Sequence, residues 1–102
     1  MGCAGSHLPP ARVADTQSSI SAAAAIGAEQ HPTAALHLKM ARDQLKEAQG
    51  LIDRGKDDEA KLVLDRATAD AELAMIITRE ADARANVNKA RADIDSLQSP
   101  RY

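Results

Sequence analysis

Phenylalanine and tryptophan are absent from the 102 residues, and tyrosine occurs once. This removes the stacking platforms on which single-stranded nucleic acids and sugars are usually held. A single cysteine excludes an internal disulfide and a cysteine-based zinc cluster. Thirteen Lys and Arg stand against 15 Asp and Glu, for a net charge of −2. A duplex-binding footprint needs a basic stripe, so no nucleic-acid partner is expected. Long apolar runs are also missing. The longest uncharged apolar-rich stretch, Thr16–Ala28, has 13 residues and includes three serines. About 20 apolar residues are needed to span a bilayer. No glycine-rich phosphate loop occurs. The length fits one domain and leaves little room for an enclosed cleft.

What is present is alanine. It supplies 22 residues, against 21 for Leu, Ile, Val and Met together. The expected fold is all-α: a long antiparallel helical hairpin with a short N-terminal helix, or a compact three-helix bundle. Residues 1–14 carry Gly2, Gly5, Pro9 and Pro10 and read as a tether. Residues 15–98 form the helical domain and 99–102 a tail. A short helix is expected from Thr16 to Glu29, with Asp15 or Thr16 as its cap. Gly27 is a weak point and Pro32 a stop. The second helix starts at His31–Thr33, with Pro32 in its first turn, and runs to about Arg54. Gly55 allows the left-handed residue that ends it. Asp57 or Asp58 then caps a third helix with no Gly or Pro before Pro100.

Leu38, Ala41, Leu45, Ala48 and Ile52 follow the 3,4 spacing of a heptad seam. Ala60, Leu64, Ala67, Ala71 and Ala74 form a matching seam on the third helix. Folding through Gly55 pairs Ile52 with Ala60, Ala48 with Leu64, Leu45 with Ala67, Ala41 with Ala71 and Leu38 with Ala74. Four of these five pairs set a large residue against a small one, as close interdigitation requires. A second apolar set flanks the seams: Leu36, Met40 and Leu51 on one helix, Val63, Leu73 and Ile77 on the other. Such a flank is rarely left in water. The first helix folds over it, or another chain covers it. A late stripe of Ala83, Val87, Ala90, Ile94 and Leu97 also needs a partner. That favours a first helix that stays extended, with Pro32 as a break in one long arm.

Cys3 lies in Met1-Gly2-Cys3-Ala4-Gly5-Ser6, ahead of the tether. A small residue before a cysteine looks like the end of a bacterial lipobox, without the hydrophobic leader that precedes one. The same residues match the Met-Gly-x-x-x-Ser myristoylation pattern, and a free thiol is the third reading. His7, His31 and His37 do not share a helical face, and no metal site is expected. Asp57–Lys61, Lys61–Asp65, Arg66–Asp70, Glu80–Arg84, Lys89–Asp93 and Arg91–Asp95 read as surface i,i+4 ladders. No nucleophile elbow or Ser/His/Asp arrangement occurs, so no catalytic residue, cofactor or small-molecule substrate is expected.

Gly27-Ala28, His31-Pro32, Leu38, Ala41, Leu45, Ala48, Gly55, Glu59-Ala60, Ala67 and Asp70-Ala71-Glu72-Leu73-Ala74 occur in an order that resembles a bacterial family. It is the domain-of-unknown-function family four-three-nine-eight, alanine-rich helical domains common in envelope lipoproteins. The resemblance covers roughly Ile20 to Ala85. It implies lipid on Cys3 and a place on the periplasmic side of the outer membrane, since Ala4 resembles the outer-membrane sorting class. Some members continue into an OmpA-like peptidoglycan-binding domain. The sequence stops at Tyr102, so peptidoglycan binding is not carried over. The expected function is a non-enzymatic structural or protein-interaction module, lipid-anchored in the envelope. The partner is an unidentified protein or a second copy. The contact surface is Leu36, Met40, Leu51, Leu73 and Ile77, or Val87, Ile94 and Leu97. The alternative is a soluble cytoplasmic adaptor or oligomerisation module without an anchor.

Overall fold

A computed structural model describes residues 8–98. Three helices account for most of them: α1 (Pro10–Ala25), α2 (Pro32–Asp53) and α3 (Asp57–Gln98), with a single 3₁₀ turn, Ala28–Gln30, between α1 and α2. No strand occurs among the described residues. The 42 residues of α3 extend about 63 Å at 1.5 Å per residue.

Glycine sets both helix ends that turn the chain. Gly27 and Gly55 have φ of 94° and 75°, the left-handed region that an L side chain adopts at a cost. At the hairpin turn the Gly55 N–H donates to the Ile52 carbonyl at 2.9 Å. The Lys56 N–H donates to the Leu51 carbonyl at 2.8 Å. Together these form a Schellman cap, which satisfies the carbonyls that a helix end leaves open. α3 then begins at Asp57, with Asp57, Asp58 and Glu59 in its first turn against the positive end of the helix dipole. The Lys56 carbonyl accepts the first bond, from the Ala60 N–H. Asp57 is therefore inside the helix rather than its cap.

The α2–α3 hairpin closes on the expected seam. Leu38, Ala41, Leu45 and Ala48 are buried on one helix, and Ala60, Leu64, Ala67, Ala71 and Ala74 on the other. Ile52 is half-buried at the seam's end. Cross-helix pairing of His31 with Asp82 at 3.3 Å and His37 with Asp70 at 3.0 Å sits in the same register. Thr78 extends the α3 seam by one turn, its hydroxyl donating to the Ala74 carbonyl at 2.8 Å. This removes a polar cost from a fully buried position.

The placement of α1 departs from the sequence reading. The helix starts at Pro10, five residues before the expected boundary. Pro9 occupies the N-cap and Pro10 the first turn, where a missing N–H costs nothing. Asp15 and Thr16 are therefore interior rather than caps. Thr16 is buried, its hydroxyl donating to the Arg12 carbonyl at 3.1 Å and lying 2.9 Å from the Thr68 hydroxyl. Arg12 pairs with Asp65, and the Leu8 N–H donates to the Asp57 carboxylate at 3.3 Å. These contacts lay α1 parallel to α3 and antiparallel to α2. Ile20 and Ala23 complete its buried face. The extended-arm arrangement is thus replaced by a fold-back: Gly27 and the 3₁₀ turn reverse the chain, where an unbroken arm would need a continuous helical path. The chain is a helical hairpin with a short first helix packed along it.

Candidate functional site

α3 is longer than the elements that cover it. The register at His31–Asp82 marks where α2 begins, so α3 has no α2 beside it past that point. Every residue from 82 to 98 is exposed. This arm of 17 residues is about 25 Å of single helix. Most helical stability in proteins comes from tertiary packing, which this stretch lacks. The arm carries the late stripe, with Val87 and Ile94 half-exposed and Leu97 81% exposed. The structure therefore leaves the stripe uncovered, and the fold-back of α1 does not reach it.

The flank divides. Leu36, Met40 and Leu73 are exposed, and Ile77 is half-buried. Leu51 and Val63 are buried at 7% exposure, within eight residues of Gly55. Leu51 is therefore core and drops out of the expected contact surface. α1 folds back but does not cover this flank. At 100° per residue, Asp65 and Thr68, which contact α1, lie on one side of the α3 seam; Val63, Asp70 and Ile77 lie on the other. The expectation that α1 would cover the flank holds for the opposite side instead.

Polar groups on the flank are satisfied locally with one exception. The His37 Nδ1 lies 3.0 Å from the Asp70 carboxylate, and both side chains are mostly buried. The Gln44 Oε1 is buried with no hydrogen-bond partner among the described residues. Two expected ladders form, Glu80–Arg84 at 2.7 Å and Lys89–Asp93 at 3.0 Å, and Lys39–Asp43 adds one at 2.8 Å. Asp57, Asp65 and Asp70 instead serve long-range contacts to Leu8, Arg12 and His37. These connect elements and hold the bundle, a role that i,i+4 spacing does not reveal. No group of three or more His, Cys, Asp or Glu among the described residues could hold a metal ion.

An open groove of about 570 Å³ lies between the start of α1 and the end of α2, with Leu8, Pro10, Val13 and Ile52 among its walls. Its described lining contains no titratable side chain, only Gln17 and Gln49 as polar groups. What the described surface offers chemically is apolar contact area, concentrated on α3. Among the described residues no helix is long and apolar enough to cross a membrane. Cys3, the expected lipidation site, lies outside the described residues.

No curated protein and no solved structure matches the chain. A family model does match, over residues 11–95, and it encloses all three helices except their outermost residues. The chain belongs to the family described as a domain of unknown function, DUF4398.

Proposed function

We propose that this chain is a non-enzymatic interaction module of the bacterial envelope, anchored through lipid on Cys3 and displaying the α3 arm into the periplasm from the outer membrane. The observation that carries the interaction role is the arm itself. Seventeen consecutive exposed residues stay helical with an apolar stripe and no covering element. A helix without tertiary packing gains stability from a partner surface. The sequence around Cys3 supports the anchor: α1 starts at Pro10, only seven residues after Cys3, so a lipid there would sit close to the bundle. The start of α1 lies beside the Gly55 turn, through Leu8 and Asp57, while the arm points away from it. An anchor on Cys3 therefore holds the turn end near the membrane.

Cell fractionation with intact-mass measurement tests the anchor. The native protein should partition into detergent and carry an acyl-glycerol mass on Cys3. An unmodified chain in the soluble fraction would overturn the anchor and give the cytoplasmic adaptor reading instead.

A further inference from the structure

The outward face of α3 carries a second seam, separate from the one that closes the hairpin. Every seventh residue from Leu62 to Leu97 is apolar: Leu62, Ala69, Ile76, Ala83, Ala90 and Leu97. The alternate positions, three or four residues away, are Arg66, Leu73, Glu80, Val87 and Ile94. All eleven are exposed, and they include all six exposed large aliphatics of α3. Exposed Leu or Ile residues scattered singly are ordinary. One apolar position kept at every seventh residue over five repeats, with Leu73, Val87 and Ile94 between them, is the pattern of a coiled coil with Arg66 and Glu80 as polar core positions. At 3.6 residues per turn such a stripe drifts about 20° per heptad, so contact along its length requires a left-handed supercoil with a partner helix. The seam lies on the side of α3 turned away from the α2 seam, where neither α1 nor α2 covers it.

We infer that the partner is the α3 helix of a second copy, running antiparallel about a two-fold axis near Thr78. This rests on reading α3 as a contact surface and is independent of the anchor. Charge decides the direction. A parallel, in-register pair stacks Glu80 on Glu80 and Arg66 on Arg66, with Arg79 beside Arg84, and like charges at those positions are destabilising. The antiparallel pair sets Arg66 against Ala90 and Glu80 against Ile76; the two Arg79 side chains meet near the axis, but each has Glu80 of the other copy beside it to offset the repulsion. Its apolar layers match large with small, Leu73 against Ala83 and Ala69 against Val87, and Leu62 meets Ile94. This is the same complementarity that closes the hairpin within one chain. The shared seam from Leu62 to Ile94 is about 48 Å long on a helix about 10 Å across, on the order of 500 Å² per copy. The two copies together reach about 1,000 Å², the lower bound for a specific interface and the size of one that associates weakly and reversibly. In this arrangement each arm lies along the bundle of the other copy, and the uncovered helix of the proposed module is stabilised on both sides of the axis.

The test uses the full chain carrying Cys3→Ser. Light scattering after size exclusion should report a dimer that dissociates on dilution. Val87→Asp with Ile94→Asp should raise the dimer dissociation constant more than tenfold while helical circular dichroism is retained. Ala92→Asp, on the far side of the arm, should leave it unchanged. Spin labels at Ala85→Cys and Ala92→Cys give the direction. An antiparallel pair separates them along the axis by about 21 Å and 42 Å respectively. A monomer at every concentration overturns the inference, even if the seam variants weaken retention in the envelope fraction, which would leave the module reading intact. Equal distances at the two labelled sites would mean a parallel pair and overturn the antiparallel assignment. A dimer indifferent to Val87→Asp and Ile94→Asp would place the interface elsewhere.

Discussion

Leu62 and Leu64 sit two residues apart on the same helix, and replacing each with alanine separates the two faces of α3. Leu64 is fully buried between α2 and α3, whereas Leu62 is 62% exposed. Removing a buried leucine side chain costs 2–5 kcal/mol, and the cost rises with the cavity that the surroundings fail to close. On its own helix Leu64 is flanked along the seam by Ala60, Ala67 and Ala71, and across the seam it faces Ala48, all buried and with no long side chain to fill the gap. About 3–4 kcal/mol is expected, a large share of the 5–15 kcal/mol that holds a domain together. Leu62→Ala should change the stability of the monomer by less than about 0.5 kcal/mol. Urea unfolding followed by far-ultraviolet circular dichroism reads both at low protein concentration. With a slope of about 1.5 kcal/mol per molar urea, Leu64→Ala lowers the midpoint by about 2 M. Equal losses for the two variants would refute the orientation of α3, and with it both seams.

Gly55→Ala and Gly50→Ala form a second pair of opposite sign. A Cβ meets nothing within 4 Å at either position, but Gly55 has φ of 75° and Gly50 is helical. Thermal melts should show a loss of about 1–2 kcal/mol at Gly55 from backbone strain and a gain of about 0.5–1 kcal/mol at Gly50. Gln44→Met removes a buried oxygen without a partner while keeping the length of the side chain. It should stabilise the chain by about 1 kcal/mol in the same urea assay, and a loss would mean that the amide is satisfied in solution.

Much of the hairpin was readable because its information is local. The 3,4 spacing of Leu38, Ala41, Leu45 and Ala48, the glycine at 55 and the alanines opposite fix a register without reference to any distant residue. The position of α1 was not readable in the same way. Thr16 resembles a cap in sequence and becomes a buried interior residue only because Thr68, far along the chain, meets its hydroxyl. Pro9–Pro10 resembles a break and is a helix start, because proline suits the first turn as well as it suits a tether. Asp65 and Asp70 sit at ladder spacing but turn to Arg12 and His37, partners that no local rule names.

The candidate surface was legible in part. The spacing of Ala83, Val87, Ala90, Ile94 and Leu97 reads as a stripe in need of cover, and all five are exposed. Leu73 was grouped with the flank beside Ile77, yet one helical step separates an outward side chain from a half-buried one. The continuation of this stripe back to Leu62 is not legible in sequence, because Arg66 and Glu80 interrupt it. Alanine is so frequent in this chain that Ala69 carries little signal until the exposure of Leu62 and Ile76 shows which face they share.

Hydrogen exchange along α3 tests the central claim, that the arm beyond Ala81 is a contact helix held by a second seam. In the concentrated native chain, amides of residues 82–98 should be protected, though less than those of residues 60–78 in the bundle. That protection should fall to near that of an isolated helix on dilution, or when Val87 and Ile94 are replaced by Asp, while the bundle amides stay protected. Arm amides that exchange at one rate at every concentration, with or without the two substitutions, would contradict the account.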